Sequence, residues 1–259
     1  MPGSLTRCRK AASVPFVNIT RTDLLQESCH AASESFVNLS TGQIRFQSDD
    51  FLQLLNYAKT YGKTIEETRR DFISEQELVR DGEIALLGSY IYDVDSYINL
   101  IQIFETPISV TGFPTPAKNS PVVIPDMIYG VLEDSEYKKE AWEFITYLLS
   151  EYPDSSGEKS LIASDRSSSL ISSRGLFTHK QKMEEQIKSS ISSGILTEEN
   201  ADRFRSVMEN LQTLSNEDQK ISEILSEEAA SFFAGQKTDT QTAEAIQNRV
   251  QDLLNERSG

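Results

Sequence analysis

Apolar residues in the last third of the chain return every three or four positions, and this period restricts the fold more than any other feature. Ala201, Phe204, Met208 and Leu211 follow Thr197, a residue type that caps helix starts. Ile221, Ile224, Leu225, Ala229, Phe232 and Phe233 then mark a longer helix, with Asn216 expected as its cap and Gly235 as its stop. Ala243, Ile246, Val250, Leu253 and Leu254 predict a final helix from about Thr240 to Glu256. Thr178-His179-Lys180-Gln181 adds a capping-box pattern ahead of these three.

Upstream the pattern alternates. Ser48 is placed to cap a helix burying Phe51, Leu54, Leu55 and Ala58. A charged helix is expected over about Ile65 to Arg80, broken at Asp81-Gly82. The run Ile84-Ala85-Leu86-Leu87 has the length of a buried strand, and Val94, Tyr97, Ile98, Ile101 and Phe104 predict a helix after Asp93. Pro107 to Gly112 reads as another strand. Pro114, Pro116, Pro121 and Pro125 make 113–126 an extended connector without regular structure. A strand over Met127 to Leu132 follows. A helix capped by Asp134 or Ser135 then places Ala141, Phe144, Ile145 and Leu148 on one face, and the serine-rich 153–173 reads as a loop. Strands interleaved with helices, then a helical tail, predict an α/β architecture.

Charge narrows the partners. The formal net charge is −15 and the pI about 4.6, a balance that repels phosphate backbones, so no nucleic acid is expected to bind. Hydrophobic residues are 38% and no apolar run approaches the roughly 18 residues of a spanning helix, so no membrane span is expected. The acid-free start, with Arg7, Arg9, Lys10 and Arg21, shows no periodicity and is expected to be loose. No apolar stretch follows it and Leu5-Thr6-Arg7-Cys8 departs from a lipoprotein cleavage box, so no signal peptide or lipobox is read here.

Chemistry-bearing patterns are sparse. GxGxxG, GxxxxGK[ST], GxSxG and HExxH do not occur, and with two histidines few hydrolase schemes have candidates. Cys8 and Cys29 cannot form a four-thiolate zinc site. Cys29 beside His30 lacks the electropositive setting of a reactive thiol and reads as an apolar filler. Glu66-Glu67, Glu184-Glu185, Glu198-Glu199 and Glu227-Glu228 read as solvated helix faces. No enzymatic activity, metal or cofactor is expected.

The aromatics carry more information. Tyr90 and Tyr92 lie where the Ile84–Leu87 run gives way to a helix, and in open α/β sheets ligands bind beyond the strand ends. A tyrosine ring there can stack on the apolar face of a sugar while Asp93 accepts hydrogen bonds from sugar hydroxyls. An edge-of-core role for Tyr90 and Tyr92 fits the pattern equally. Tyr97, in phase with Val94 and Ile101, reads as core, and Trp142, one residue from an apolar stripe, reads as packing.

Four stretches, in order, carry a resemblance. Phe36-Val37-Asn38, Gly42 and Phe46 are similar to a lobe-opening segment, and Gly82-Glu83-Ile84-Ala85-Leu86-Leu87 to a strand leading into a cleft. Val110-Thr111-Gly112-Phe113-Pro114, then Ser135 to Ile145 with Lys139-Glu140-Ala141-Trp142-Glu143-Phe144, looks like a hinge strand and helix. Ile221 to Phe233, Gly235-Gln236-Lys237-Thr238 and the helix to Glu256 look like a characteristic ending. Together, over roughly residues 22–257, they resemble the extracellular solute-binding proteins of ABC importers, carbohydrate-binding family 1.

The resemblance implies a type II periplasmic-binding-protein fold, two α/β lobes closing on a sugar. It assigns 22–112 and 168–259 to a C-terminal-lobe-like domain with a helical tail, and 113–167 to the hinge strand and helix of a partial N-terminal lobe. Residues 1–21 remain an unplaced basic leader. The family's export signal and most of its N-terminal lobe have no counterpart, so the reading includes a truncated fragment, and Ile171-Ser172-Ser173 stands where the family has Pro-Val-Asn. The implied role is the sugar-binding component of an importer, extracellular or at the cell surface, with permease subunits as partners and Tyr92 nearest the sugar-stacking position. The alternative is an acidic helical protein-interaction module without a small-molecule ligand.

Overall fold

Ser48 begins its helix as the pattern predicts, its Oγ accepting from the Phe51 N–H at 3.4 Å. The computed structural model describes residues 16–39, 41–70, 74–81, 83–84, 86–104, 108–113, 115, 121–125, 128–150, 180–211, 213–214 and 218–258. The described elements begin with α1 (Arg21–Ala31), α2 (Ser33–Phe36), β1 (Val37–Asn38), β2 (Gln43–Ile44) and α3 (Asp49–Tyr61). They continue with α4 (Ile65–Arg70), α5 (Glu75–Asp81), α6 (Val94–Phe104), β3 (Val122–Val123) and α7 (Lys138–Ser150). The last are α8 (Lys180–Ser192), α9 (Glu198–Glu209), β4 (Thr213–Leu214), α10 (Gln219–Phe233) and α11 (Asp239–Ser258). The chain divides into two units, each discontinuous in sequence: 1–89 with 104–124 and 207–259, and 90–103 with 125–206.

In the first unit α1 packs on α3 and α10, and α11 packs on α3 and α10. Leu24, Leu25, Phe51, Leu55, Leu225 and Ile246 are among the side chains buried between them. The apolar spacing of α3, α10 and α11 thus lands on the core as predicted. Phe46 and Phe51 meet edge to face at 4.9 Å, and Phe36 meets Phe51 at 5.5 Å. Each such buried ring contributes about 2 kcal/mol or more through burial alone. The hairpin β1–β2 is antiparallel, pairing Val37 with Ile44, and Gly42 at φ +67 turns it. Gln247 of α11 fixes the hairpin by accepting from the Phe46 N–H at 2.8 Å and donating to the Ile44 carbonyl at 3.2 Å. β3 and β4 form a parallel pair, Val122 against Thr213.

Several local expectations give way here. Phe16 and Val17 are buried and Thr20 caps α1, so residues 16–21 are packed; residues 1–15 lie outside the described residues. The cap of α10 is Asp218, whose Oδ1 accepts from the Lys220 and Ile221 N–H groups; Asn216 is outside the described residues. The proline connector contains β3, because Val122-Val123 is a β-branched pair able to join a ladder. The described residues of the expected strands at Ile84–Leu87 and Pro107–Gly112 belong to none: Ile84 is a buried bridge residue, and 86, 87 and 108–112 are irregular. A short apolar run needs a neighbouring strand to become one, and periodicity cannot supply it.

In the second unit, α8 and α9 are joined by a turn in which Gly194 takes φ +73 and the Ile195 and Leu196 N–H groups donate to the Ser190 carbonyl. Arg205 of α9 grips Glu184 of α8 through two hydrogen bonds of 2.7 and 3.0 Å and reaches Asp202 at 2.8 Å. Ile187, Ala201 and Phe204 are buried, and Thr197 caps α9 through the Asn200 N–H. On α7 only Ile145 is buried among residues 138–147, while Trp142 is 62% and Phe144 60% exposed. The expected packing of both is corrected by the structure. Each helical residue turns the direction by about 100°, so Phe144 lies about 100° around α7 from Ile145. Trp142, three residues away, flanks Ile145 at about 60° and is exposed because the burial on this helix narrows to Ile145. Of the strand expected over Met127 to Leu132, the described residues 128–132 are irregular. The 153–173 loop and the Thr178-His179 cap lie outside the described residues.

Candidate functional site

Asp93 and Ser96 set the start of α6 by exchanging hydrogen bonds. The Ser96 N–H donates to Asp93 Oδ1 at 2.7 Å, and the Asp93 N–H donates to Ser96 Oγ at 3.0 Å. This is the reciprocal pattern of a capping box, with Asp as the cap and Ser in the third helical position. The helix is anchored below by Val94, Tyr97 and Ile98, all buried. Tyr97 is 1% exposed and its ring lies 4.9 Å from that of Phe204. Burial pushes the Tyr97 hydroxyl pKa up, with the nearby Arg203 charge opposing. Tyr97 is therefore a core residue, as its phase predicts.

Just before the helix, Tyr90 and Tyr92 are 47% and 53% exposed. Their rings are stacked with centroids 5.9 Å apart and planes inclined by 30°. The tyrosines follow an irregular segment, 86–89, and so do not sit at a strand end as the sequence argument supposed. Asp93 is immediately adjacent. One of its carboxylate oxygens, Oδ1, serves the cap. The arrangement presents aromatic surface, phenolic hydroxyls and a carboxylate oxygen together, the groups that suit a polyhydroxylated ring.

A second polar cluster escaped the sequence reading. His30 Nε2 lies 3.0 Å from Ser222 Oγ, joining α1 to α10, and Gln26 Nε2 donates to the Ser222 carbonyl at 3.1 Å and Ser226 Oγ at 2.7 Å. Nothing local signals a pair 192 residues apart. A cavity of about 30 Å³ lies beside it, bordered by Cys29, Ser33, Phe46 and Asp218, too small to admit a sugar ring. Burial pushes the Cys29 thiol pKa well up, so it stays protonated and unreactive. Ser96, by contrast, had a readable signal in the Asp93-x-x-Ser96 spacing.

Among the described residues no group of three or more His, Cys, Asp and Glu is placed to hold a metal. No described helix is long and apolar enough to cross a membrane. Glu228 is not a solvated-face residue: it bonds Lys237 at 2.6 Å and Arg249 at 2.9 Å. No protein-family model matches the chain, and no curated protein matches it.

Proposed function

We propose that the chain binds a carbohydrate, with Tyr92 and Tyr90 as the stacking surface and Asp93 as a hydrogen-bond acceptor for sugar hydroxyls. The observation that carries the reading is the exposed pair of tyrosine rings beside the Asp93 cap. Large aromatics exposed side by side next to a polar anchor offer what a sugar ring uses: an apolar face to cover and hydroxyls to satisfy. The ordered resemblance over residues 22–257 supports the wider role of a sugar-binding component of an ABC importer, extracellular or at the cell surface, with permease subunits as partners.

Titration calorimetry against a panel of mono- and oligosaccharides tests it. Heat that saturates at or below millimolar ligand, about −4 kcal/mol, is expected for at least one sugar. Tyr92→Ala is expected to weaken that affinity by about 0.5–1.5 kcal/mol, the contribution of one stacked aromatic. Its unfolding midpoint should hardly move, since the side chain is half exposed. No heat from any sugar, or undiminished affinity in the variant, removes Tyr92 from the site.

A second reading, a protein-interaction module, is favoured by the exposed Ile128, Leu132, Tyr137, Trp142 and Phe144. Light scattering over a concentration series separates the two: self-association that Phe144→Ser abolishes supports it, and a monomer throughout counts against self-association.

A further inference from the structure

We infer that Ser96 is the positioning residue of the Tyr90/Tyr92/Asp93 surface, an inference that rests on the carbohydrate reading above. Its hydroxyl uses its full capacity there. Oγ accepts the Asp93 N–H at 3.0 Å and the Tyr92 N–H at 2.9 Å, and it donates to the Asp93 carbonyl at 2.7 Å. A capping box needs only the bond to the cap residue. The extra bond to Tyr92 extends the box one residue outward, into the irregular segment that carries the aromatic surface.

The consequence is mechanical. Residues 86–92 form no ladder, so Tyr92 has no strand to hold its backbone. Ser96 ties that backbone to α6, whose own position is set by the buried Val94, Tyr97 and Ile98. With Tyr92 fixed, its ring stays 5.9 Å from that of Tyr90, and Asp93 Oδ1 stays committed to the Ser96 N–H. A surface ordered before the sugar arrives loses less freedom on binding, which appears directly as affinity. Removing the hydroxyl takes one acceptor from two backbone N–H groups at once.

The test compares Ser96→Ala, Ser96→Thr and Thr197→Ala. Thr197→Ala removes the α9 cap in the same unit without touching the surface, and so controls for helix destabilisation alone. Affinity is measured by calorimetry for the sugar that binds the unaltered chain. Contacts between the Tyr90 and Tyr92 rings are read by NMR without ligand. Ser96→Ala should weaken sugar binding by about fivefold or more, the scale of one or two lost hydrogen bonds, and should lose the contacts between the tyrosine rings. Ser96→Thr, which keeps the hydroxyl, should restore both, and Thr197→Ala should alter neither.

Unaltered affinity in Ser96→Ala, alongside weakened binding in Tyr92→Ala, overturns the role of Ser96 and leaves the carbohydrate reading standing. Absence of sugar binding by the unaltered chain defeats that reading instead, and the ligand-free NMR comparison then decides the ordering role alone. Ring contacts that survive Ser96→Ala refute it.

Discussion

Replacing Gly62 by alanine should be among the most damaging single-methyl additions in the first unit. Gly62 follows α3 with φ −83 and ψ 152, a conformation any residue adopts, so the demand for glycine comes from proximity and not from backbone strain. A Cβ there would stand 2.6 Å from the Arg21 Cα and 2.8 Å from both the Arg21 nitrogen and the Ala58 carbonyl oxygen. These are backbone atoms, which cannot swing aside. Reaching ordinary contact at 3.4 Å requires the two segments to part by about 0.8 Å. The same crossing carries the Arg21 N–H to Lys63 carbonyl bond at 2.9 Å and the Lys63 N–H to Ile19 carbonyl bond at 3.0 Å. Opening by that distance along their axes would take both beyond hydrogen-bonding range. Two lost backbone bonds at about 1 kcal/mol each, with the residual strain of overpacking, give a cost of about 2–4 kcal/mol. Urea unfolding followed by far-ultraviolet circular dichroism measures it as a lower midpoint at unchanged slope. Gly42→Ala, at φ +67 with nothing within 4 Å of the added carbon, is the companion variant and should lose about 1 kcal/mol from strain alone. A Gly62→Ala protein within about 0.5 kcal/mol of the parent would refute the reasoning, since that is the range of an ordinary surface change.

Thr242 is fully buried and its hydroxyl has no hydrogen-bond partner among the described residues, so Thr242→Val should raise stability by about 1 kcal/mol in the same assay. A loss would mean the hydroxyl is satisfied after all. Arg257, hydrogen-bonded to Asp218, holds the Asp218 carboxyl below the usual carboxylate range, aided by the N–H groups of Ile221 and Lys220. A depressed folded value means this stabilisation is present above the unfolded value near 4 and is lost as the pH falls through the lower folded one. The stability advantage of the parent over Asp218→Asn should therefore shrink between pH 5 and the acid limit, and parallel pH curves would contradict it. Trp142 is the sole tryptophan and 62% exposed, so its emission should match that of solvated indole, be quenched freely by iodide, and shift little on unfolding. Trp142→Ala should change stability by about 0.5 kcal/mol or less.

For α3, α9, α10 and α11, local chemistry by itself determined the helix and the face it buries. The spacing of Phe51, Leu54, Leu55 and Ala58, of Ala201 and Phe204, and of Ile246 and Val250 placed each on the buried side, because a 3.6-residue period leaves one stripe to cover. Ser48 and Thr197 were legible as caps and Gly235 as a stop for the same reason: a hydroxyl or a positive φ satisfies its neighbours without distant help. What lay beyond local reach needed partners. Asn216 and Asp218 are equally able caps by residue type, and Asp218 additionally bonds Arg257 on α11, 39 residues away. The run at Ile84–Leu87 had strand-like composition and found no ladder among the described residues. The pairing of His30 with Ser222 and the exposure of Trp142 depend on which helices approach and which do not. For the candidate site the residue types were readable in Tyr90, Tyr92 and Asp93. Whether the two tyrosines faced solvent or packed was not, because exposure belongs to the arrangement of the chain around a residue and not to the residue itself.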